Sequence, residues 1–121
     1  MTHTSLLPQH RQFLAELFPG TDCLTTPEEM LVFESDASRL AGVPLAVVRP
    51  RNEEQIAELL RWAHTERMPL YPRARATNVV GLCVPDRPGV VVSTLCMDRI
   101  LEIHADDFVA VVQPGVVTGD L

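Results

Sequence analysis

The 121-residue sequence lacks the features that mark several broad classes of protein. It contains only three cysteines, Cys23, Cys83 and Cys96, and none of them forms a C-x-x-C pair. This odd, widely spaced set predicts neither a disulfide framework nor a zinc site, and it favours a reducing cytoplasm. No apolar run approaches the roughly 18 residues of a membrane span, and the first residues lack the basic and apolar regions of a signal peptide. We therefore expect a chain without a membrane span, located in the cytoplasm or peripheral to the inner face of the membrane.

Positive charge is also scarce. Ten basic residues stand against 16 acidic ones, which gives a formal net charge of −6. The arginines are scattered rather than arranged in a stripe, so nucleic acid is not an expected partner. With 46% hydrophobic and 21% charged residues, the composition predicts one ordered domain rather than a disordered chain.

The N-terminal part carries two helix signals. Apolar residues recur at helical spacing between Ser5 and Phe18, and Pro19-Gly20 ends that pattern. Further on, Thr26 precedes a proline and stands three residues before Glu29, which is a capping-box start for a short helix. We assign residues 1–36 as a helical lead-in.

A strand–helix–strand pattern follows. The run Leu45–Val48 predicts a buried strand, Asn52 is a helix N-cap, and the helix should end near Arg67. The extended run Met68–Tyr71 then predicts a second strand, parallel to the first. The expected buried face of the helix consists of Ile56, Leu59, Leu60 and Ala63.

The rest of the chain is rich in β-branched residues. Gly89–Ser93 predicts another strand, and Ile100–Ile103 with Phe108–Val112 predicts an antiparallel hairpin. The predicted fold class is therefore α+β, with N-terminal helices and then a βαβ unit with additional strands and a hairpin. Residues 37–121 form the second predicted part of the chain.

The loop from residue 73 to residue 81 opens at the end of the second parallel strand. Ligands of α/β sheets bind at such ends, and a phosphate needs several backbone N–H groups pointing into one concavity. Glycine favours that geometry, yet the loop has a single glycine, and only Asn78 and Gly81 tolerate a positive φ cheaply. Two arginines and Thr77 add charge and a hydroxyl, but no G-K-[ST] follows, which excludes a P-loop NTPase. A phosphate-binding loop and a structural connector both remain open.

Three segments, taken in order, carry a family resemblance: Pro44–Pro85, Gly89–Ile103 and Ala110–Leu121. The chain resembles FAD-linked oxidases of the vanillyl-alcohol oxidase and para-cresol methylhydroxylase type. Among these it is most similar to the FAD-linked subunit of glycolate oxidase and to D-lactate dehydrogenases. The resemblance implies the N-terminal, incomplete part of a PCMH-type FAD-binding fold.

In that family a P-R-G-x-G-T loop holds the FAD diphosphate through its backbone. Here Ala74 and Ala76 replace the two glycines, and either alanine would be strained by about 1–2 kcal/mol if its φ were positive. No histidine lies between Tyr71 and Ile103, so the resemblance implies non-covalent FAD. The cofactor-binding residues that it implies are Arg73, Ala74, Arg75, Ala76, Thr77, Asn78 and Gly81 in the loop, with Pro114 and Gly115 near the flavin side of the sheet.

The implied function is FAD binding in a flavin-dependent 2-hydroxyacid dehydrogenase or oxidase. Its flavin would take a hydride equivalent from a small 2-hydroxy acid and pass electrons to an iron–sulfur protein or a quinone. No residue of this chain is a credible catalytic acid or base, and no metal site is expected. The alternative is a non-catalytic fragment or interaction module that cannot bind FAD alone and self-associates through an uncovered sheet.

Other conspicuous residues have structural interpretations. Asp36 is expected to cap a turn, and Cys83 to be a small buried filler. The histidines His3, His10 and His104 lack the spacing of metal ligands, and we expect them to be exposed.

Overall fold

A computed structural model describes residues 4–121 of the chain. It contains three α-helices and six strands in those residues, joined by short 3-10 turns, so the predicted α+β class is confirmed. In chain order the elements are α1 (Pro8–Leu17), β1 (Cys23–Leu24), α2 (Pro27–Met30), β2 (Ala46–Val48), α3 (Glu53–Glu66), β3 (Leu70–Arg73), β4 (Val90–Ser93), β5 (Ile100–His104) and β6 (Val109–Val112).

Four of the strands form one sheet in the order β1-β2-β4-β3. Strands β2 and β3 both pair with β4 in parallel, with Val47 and Tyr71 opposite Val91, whereas β1 pairs with β2 antiparallel. The predicted parallel βαβ unit is therefore confirmed. Because β4 lies between β2 and β3, the crossover through α3 passes over one strand position.

The sheet is covered on both faces. On one face, Leu14 of α1, Phe18 just after that helix and Leu59 of α3 pack against alternate residues of β2 and β4. On the other face, Met30 and Phe33 pack against Val47 and its neighbour in β4. Every residue of β2 and β4 is buried, as expected for central strands that are covered on both sides. The N-terminal residues thus share the core of the βαβ unit.

The helix caps follow the predicted chemistry. The Thr26 side chain accepts a hydrogen bond from the Glu29 N–H, and the Asn52 side chain accepts one from the Gln55 N–H. These bonds satisfy N–H groups that a helix start leaves without partners. At its other end, α3 stops at Arg67, which adopts a left-handed conformation.

One member of the predicted buried face of α3 is exposed. Leu59 and Ala63 are buried, but Leu60 is 54% exposed, so the prediction was wrong for Leu60. Helix α1 lies toward Trp62 instead, whose ring stacks on Phe13 at a centroid distance of 4.9 Å. Because α1 packs against Trp62, the buried face of α3 includes Trp62 and not Leu60.

The expectation of exposed histidines was wrong for His10. Its imidazole is fully buried, accepts a hydrogen bond from the Leu7 N–H at Nδ1, and places Nε2 3.2 Å from the Glu66 carboxylate. Since Nδ1 accepts, the ring proton lies on Nε2 and points at Glu66. His104 is exposed as expected, and His3 lies outside the described residues.

Strands β5 and β6 form a separate two-stranded antiparallel sheet, as predicted. All nine of their residues are exposed. Phe108, at the turn between them, has a φ of 55° and is 97% exposed. Within residues 4–121, no helix is long and apolar enough to cross a membrane.

Candidate functional site

The loop of residues 74–81, called here the diphosphate loop, leaves the sheet at the carboxyl end of β3. The last paired residues there are Arg73 in β3 and Ser93 in β4. The Thr94 N–H donates to the Arg73 carbonyl at 2.8 Å, which keeps the two strand ends together. The loop therefore starts at the carboxyl edge of parallel strands, where α/β sheets bind ligands.

The backbone of the loop turns at Ala76 and Gly81. Their φ angles are 54° and 75°, whereas Asn78, which the sequence favoured for such a conformation, has no positive φ. The Asn78 side chain is used differently, because its amide nitrogen donates to the Cys83 sulfur at 3.0 Å and its oxygen accepts from the Val80 N–H. A left-handed alanine is strained by about 1–2 kcal/mol.

Several backbone donors of the loop are available. Within the described part of the chain, the N–H groups of residues 75–79 have no hydrogen-bond acceptor. The Ala76 carbonyl, in contrast, accepts from the Ala37 N–H at 3.3 Å. Five successive donors in a turning backbone are the kind of group that a diphosphate requires. The loop therefore offers unpaired backbone donors, the groups with which proteins bind the phosphate part of a dinucleotide.

A cavity of about 310 Å³ lies between the loop and the C-terminal residues. Its loop side consists of Ala74, Arg75 and Thr77, and its other side of residues 116–119. Arg75 and Thr77 are exposed, so their guanidinium and hydroxyl can reach a ligand there. No local sequence pattern marked residues 116–119 as part of a site, since only the folding of the chain brings them to the loop.

The side chain of Arg73 is directed elsewhere. Its two Nη atoms donate to the Ser35 and Val32 carbonyls at 2.6 and 2.8 Å. The guanidinium carbon also lies 5.3 Å from the centroid of the Phe33 ring. Arg73 does not line the cavity, and its predicted role toward FAD stays a prediction.

Pro114 and Gly115 lie just before the cavity-lining residues. A Cβ on Gly115 would come within 2.3 Å of the Thr94 carbonyl oxygen, so the close crossing of the two chains requires glycine there. The Gly115 N–H donates to the Met97 carbonyl at 2.8 Å. Pro114 is exposed and has no N–H. Pro114 therefore contributes surface, whereas Gly115 is buried, and neither residue offers a free backbone donor.

Asp36 caps a turn beside the loop, as expected. One of its oxygens accepts from the Ser38 N–H at 2.8 Å. Hydrogen bonding from Ser38 lowers the pKa of Asp36, and the positive charge of Arg73 adds to the effect. The other oxygen is buried without a partner among the described residues.

Cys83 is buried, as expected for a filler. Within residues 4–121, no cluster of three or more histidine, cysteine or acidic side chains could hold a metal ion. The site therefore consists of backbone donors, the hydroxyls of Thr77 and Thr118, and the guanidinium of Arg75.

A family profile described as an FAD-binding domain matches residues 44–121, well over half of the chain. The chain belongs to this FAD-binding family. The predicted family and the predicted cofactor are thereby confirmed, while the contacts of individual site residues with FAD stay predictions.

Curated relatives of this FAD-binding chain include the glycolate oxidase subunit GlcD of Bacillus subtilis (strain 168), 38% identical over 92 residues, which are 75% of this chain and 20% of the relative. A D-2-hydroxyglutarate dehydrogenase of Stutzerimonas stutzeri (strain A1501) is 35% identical over 99 residues, 81% of this chain and 21% of the relative. The chain thus spans about a fifth of the length of these relatives.

Solved structures share the fold. A p-cresol methylhydroxylase with substrate bound superposes with a TM-score of 0.82 at 19% identity, over 98% of this chain and 25% of that one. An alkyldihydroxyacetonephosphate synthase gives the same TM-score at 18% identity, over the same shares. At such identities the likeness concerns the fold, and it agrees with the predicted PCMH-type FAD-binding architecture.

Proposed function

We propose that this chain supplies the FAD diphosphate-binding part of a flavin-dependent dehydrogenase or oxidase acting on small 2-hydroxy acids. The observation that carries the proposal is the run of unpaired N–H groups at residues 75–79, at the carboxyl edge of parallel strands in a member of an FAD-binding family. The substrate class comes from the names of the relatives, which refer to glycolate, D-lactate and D-2-hydroxyglutarate.

Three kinds of donor would hold the diphosphate. The backbone N–H groups of residues 75–79 provide neutral donors, the Thr77 hydroxyl provides a rotatable one, and the Arg75 guanidinium provides charge. Pro114 and Gly115 would shape the flavin side of the same surface. FAD, when bound, supplies the acceptor for a hydride equivalent from the substrate. We assign no catalytic residue to this chain.

The proposal also covers how FAD is attached, which partner accepts its electrons, where the chain is located and how the chain is divided. We expect FAD to be held without a covalent bond, because the segment between Tyr71 and Ile103 has no histidine. The electron acceptor would be an iron–sulfur protein or a quinone. Three free cysteines favour a reducing cytoplasm as the location. We propose residues 37–121 as the FAD-binding part and residues 1–36 as its lead-in.

Titration of the purified chain with FAD tests the proposal. Flavin fluorescence should change saturably, and FAD at 100 times its Kd should raise the free energy of unfolding by about 2.7 kcal/mol. Riboflavin, which lacks the diphosphate, is the matched control and should bind far more weakly. A chain that gains no thermal stability from a large excess of FAD would contradict independent FAD binding.

The exposed hairpin favours a second candidate, a self-associating module without FAD. Because a bulge separates Ile100 from Glu102, the register places Ile100, Ile103 and Val112 on one apolar face. Exposed strands with such a face and an uncharged edge in β6 are prone to pair with other strands. Sedimentation at several concentrations, with and without FAD, separates the two candidates. A colourless chain that associates would favour the module.

A further inference from the structure

We propose that Arg73 is a positioning residue, which holds the diphosphate loop in shape and does not contact the diphosphate. This inference rests on the proposed function, because the loop is taken to be the FAD site. Its physical basis is the set of contacts between the loop and residues 32–40, called here the clamp segment. Arg75, two residues away, then provides the charge that meets the ligand.

The first contact is the guanidinium itself. Both Nη atoms of Arg73 donate to carbonyls of the clamp segment, to Ser35 at 2.6 Å and to Val32 at 2.8 Å. Charge-assisted bonds of this length are among the stronger hydrogen bonds in proteins. One face of the guanidinium lies over the Phe33 ring at 5.3 Å. Because both Nη atoms donate to the clamp segment and Phe33 covers one face, this segment holds the guanidinium in place.

The same segment also touches both turning points of the loop. The Ala37 N–H donates to the carbonyl of the left-handed Ala76 at 3.3 Å. At Gly81, an added Cβ would lie 2.6 Å from Leu40 Cδ1, so Leu40 packs directly on the backbone there. A strained residue persists only where its surroundings determine its conformation. Arg73 anchors the start of the loop, and the other two contacts hold its turns.

The two arginines therefore differ in kind. Arg73 is half-buried and does not line the cavity, whereas Arg75 is exposed and lines it. Lysine carries the same charge as arginine but is a point donor without the planar fork. At position 73 the geometry of the fork should matter, and at position 75 the charge. The clamp segment lies before residue 44, so it is outside the part of the chain that the family profile matches.

Substitutions at the two positions test the difference through FAD affinity and its salt dependence. Arg73→Lys should weaken FAD binding about tenfold although the charge is kept. Neither Arg73→Lys nor Arg73→Gln should alter the slope of log Kd against log salt concentration. Arg75→Gln should weaken binding and flatten that slope. Arg11→Lys, on the exposed side of α1, is the matched control and should leave Kd unchanged.

Arg73→Lys binding FAD as tightly as the wild type would overturn the inference. The same holds if Arg73→Gln flattens the salt slope as much as Arg75→Gln does, because Arg73 would then meet the diphosphate.

Hydrogen exchange without FAD separates this inference from the proposed function. Arg73→Lys should speed exchange of the Ala37 N–H about tenfold, because its acceptor at Ala76 is released, while Arg11→Lys should not. An unchanged Ala37 rate in Arg73→Lys overturns the positioning role, whether or not FAD binds. A faster rate in a chain that fails to bind FAD supports the clamp and refutes the proposed function alone.

Discussion

Replacing Ala76 by glycine tests the strain in the diphosphate loop. Ala76 has a φ of 54°, in the left-handed region where an L-residue with a Cβ is strained by about 1–2 kcal/mol and glycine is not. Glycine also makes the unfolded chain more flexible, which lowers stability by about 0.4–1 kcal/mol. The loss of a half-buried methyl group costs about 0.4 kcal/mol more. The three effects nearly cancel, so a single variant is not a sharp test.

Ala74→Gly provides the matched comparison. Ala74 is also half-buried and lies in the same loop, but it has no positive φ. The entropic and burial effects are therefore similar in both variants, and only Ala76→Gly relieves strain. We expect the Ala76→Gly chain to be more stable than the Ala74→Gly chain by about 1–2 kcal/mol.

Urea denaturation measures this difference directly, and thermal unfolding should show it as about 3–5 °C for each kcal/mol. FAD affinity should be equal or higher in Ala76→Gly, because the loop keeps its conformation. Equal stability of the two variants, or a less stable Ala76→Gly chain, would refute the assignment of strain to Ala76.

Two further predictions concern residues outside the loop. The buried Asp22 carboxylate accepts two hydrogen bonds from Arg51, at 2.7 and 3.0 Å, and these lower the pKa of Asp22 from its ordinary value of 3.8. The ion pair therefore stabilises the fold fully above pH 3.8, and this stabilisation is lost as the pH falls through the lowered pKa of Asp22. Asp22→Asn should accordingly be less stable than the wild type at neutral pH and equally stable in strong acid. The urea midpoints of both proteins at the two pH values check this prediction. A difference in midpoint that persists in acid would contradict it. Phe108→Asn should keep or raise stability by about 0.5–1 kcal/mol, because asparagine tolerates the left-handed conformation, and it should weaken self-association in sedimentation experiments. Unchanged sedimentation would show that the exposed ring plays no part in association.

Much of the fold could be predicted because its signals are local. The caps at Thr26 and Asn52 are short-range hydrogen bonds written into neighbouring residues. The parallel strands and the hairpin follow from β-branched runs and turn residues. The buried side of α3 was less predictable, because Leu60 and Trp62 are both apolar and only the position of α1 decides which one is covered.

The candidate site, like the fold, could be predicted from the sequence only in part. Sequence order placed the loop after a parallel strand, and the resemblance assigned it to FAD. The family match confirms the cofactor, and the loop's contacts with it stay predictions. Sequence did not predict that the left-handed turn would fall on Ala76, because Asn78 tolerates that conformation better. Asn78 is held instead by Cys83 and Val80, through contacts that exist only after folding.

By itself, the sequence determined the family, the α+β class and the position of a loop after a parallel strand, since these depend on local propensity and on the order of motifs. Only the tertiary structure decided which partners the side chains of the loop contact. It turned the Arg73 guanidinium toward the Val32 and Ser35 carbonyls, which lie about forty residues away in the chain. It also brought residues 116–119 to the cavity beside Arg75. The reason is that a side chain takes the partners that packing brings within hydrogen-bond distance, and a loop motif specifies only which donors it can offer.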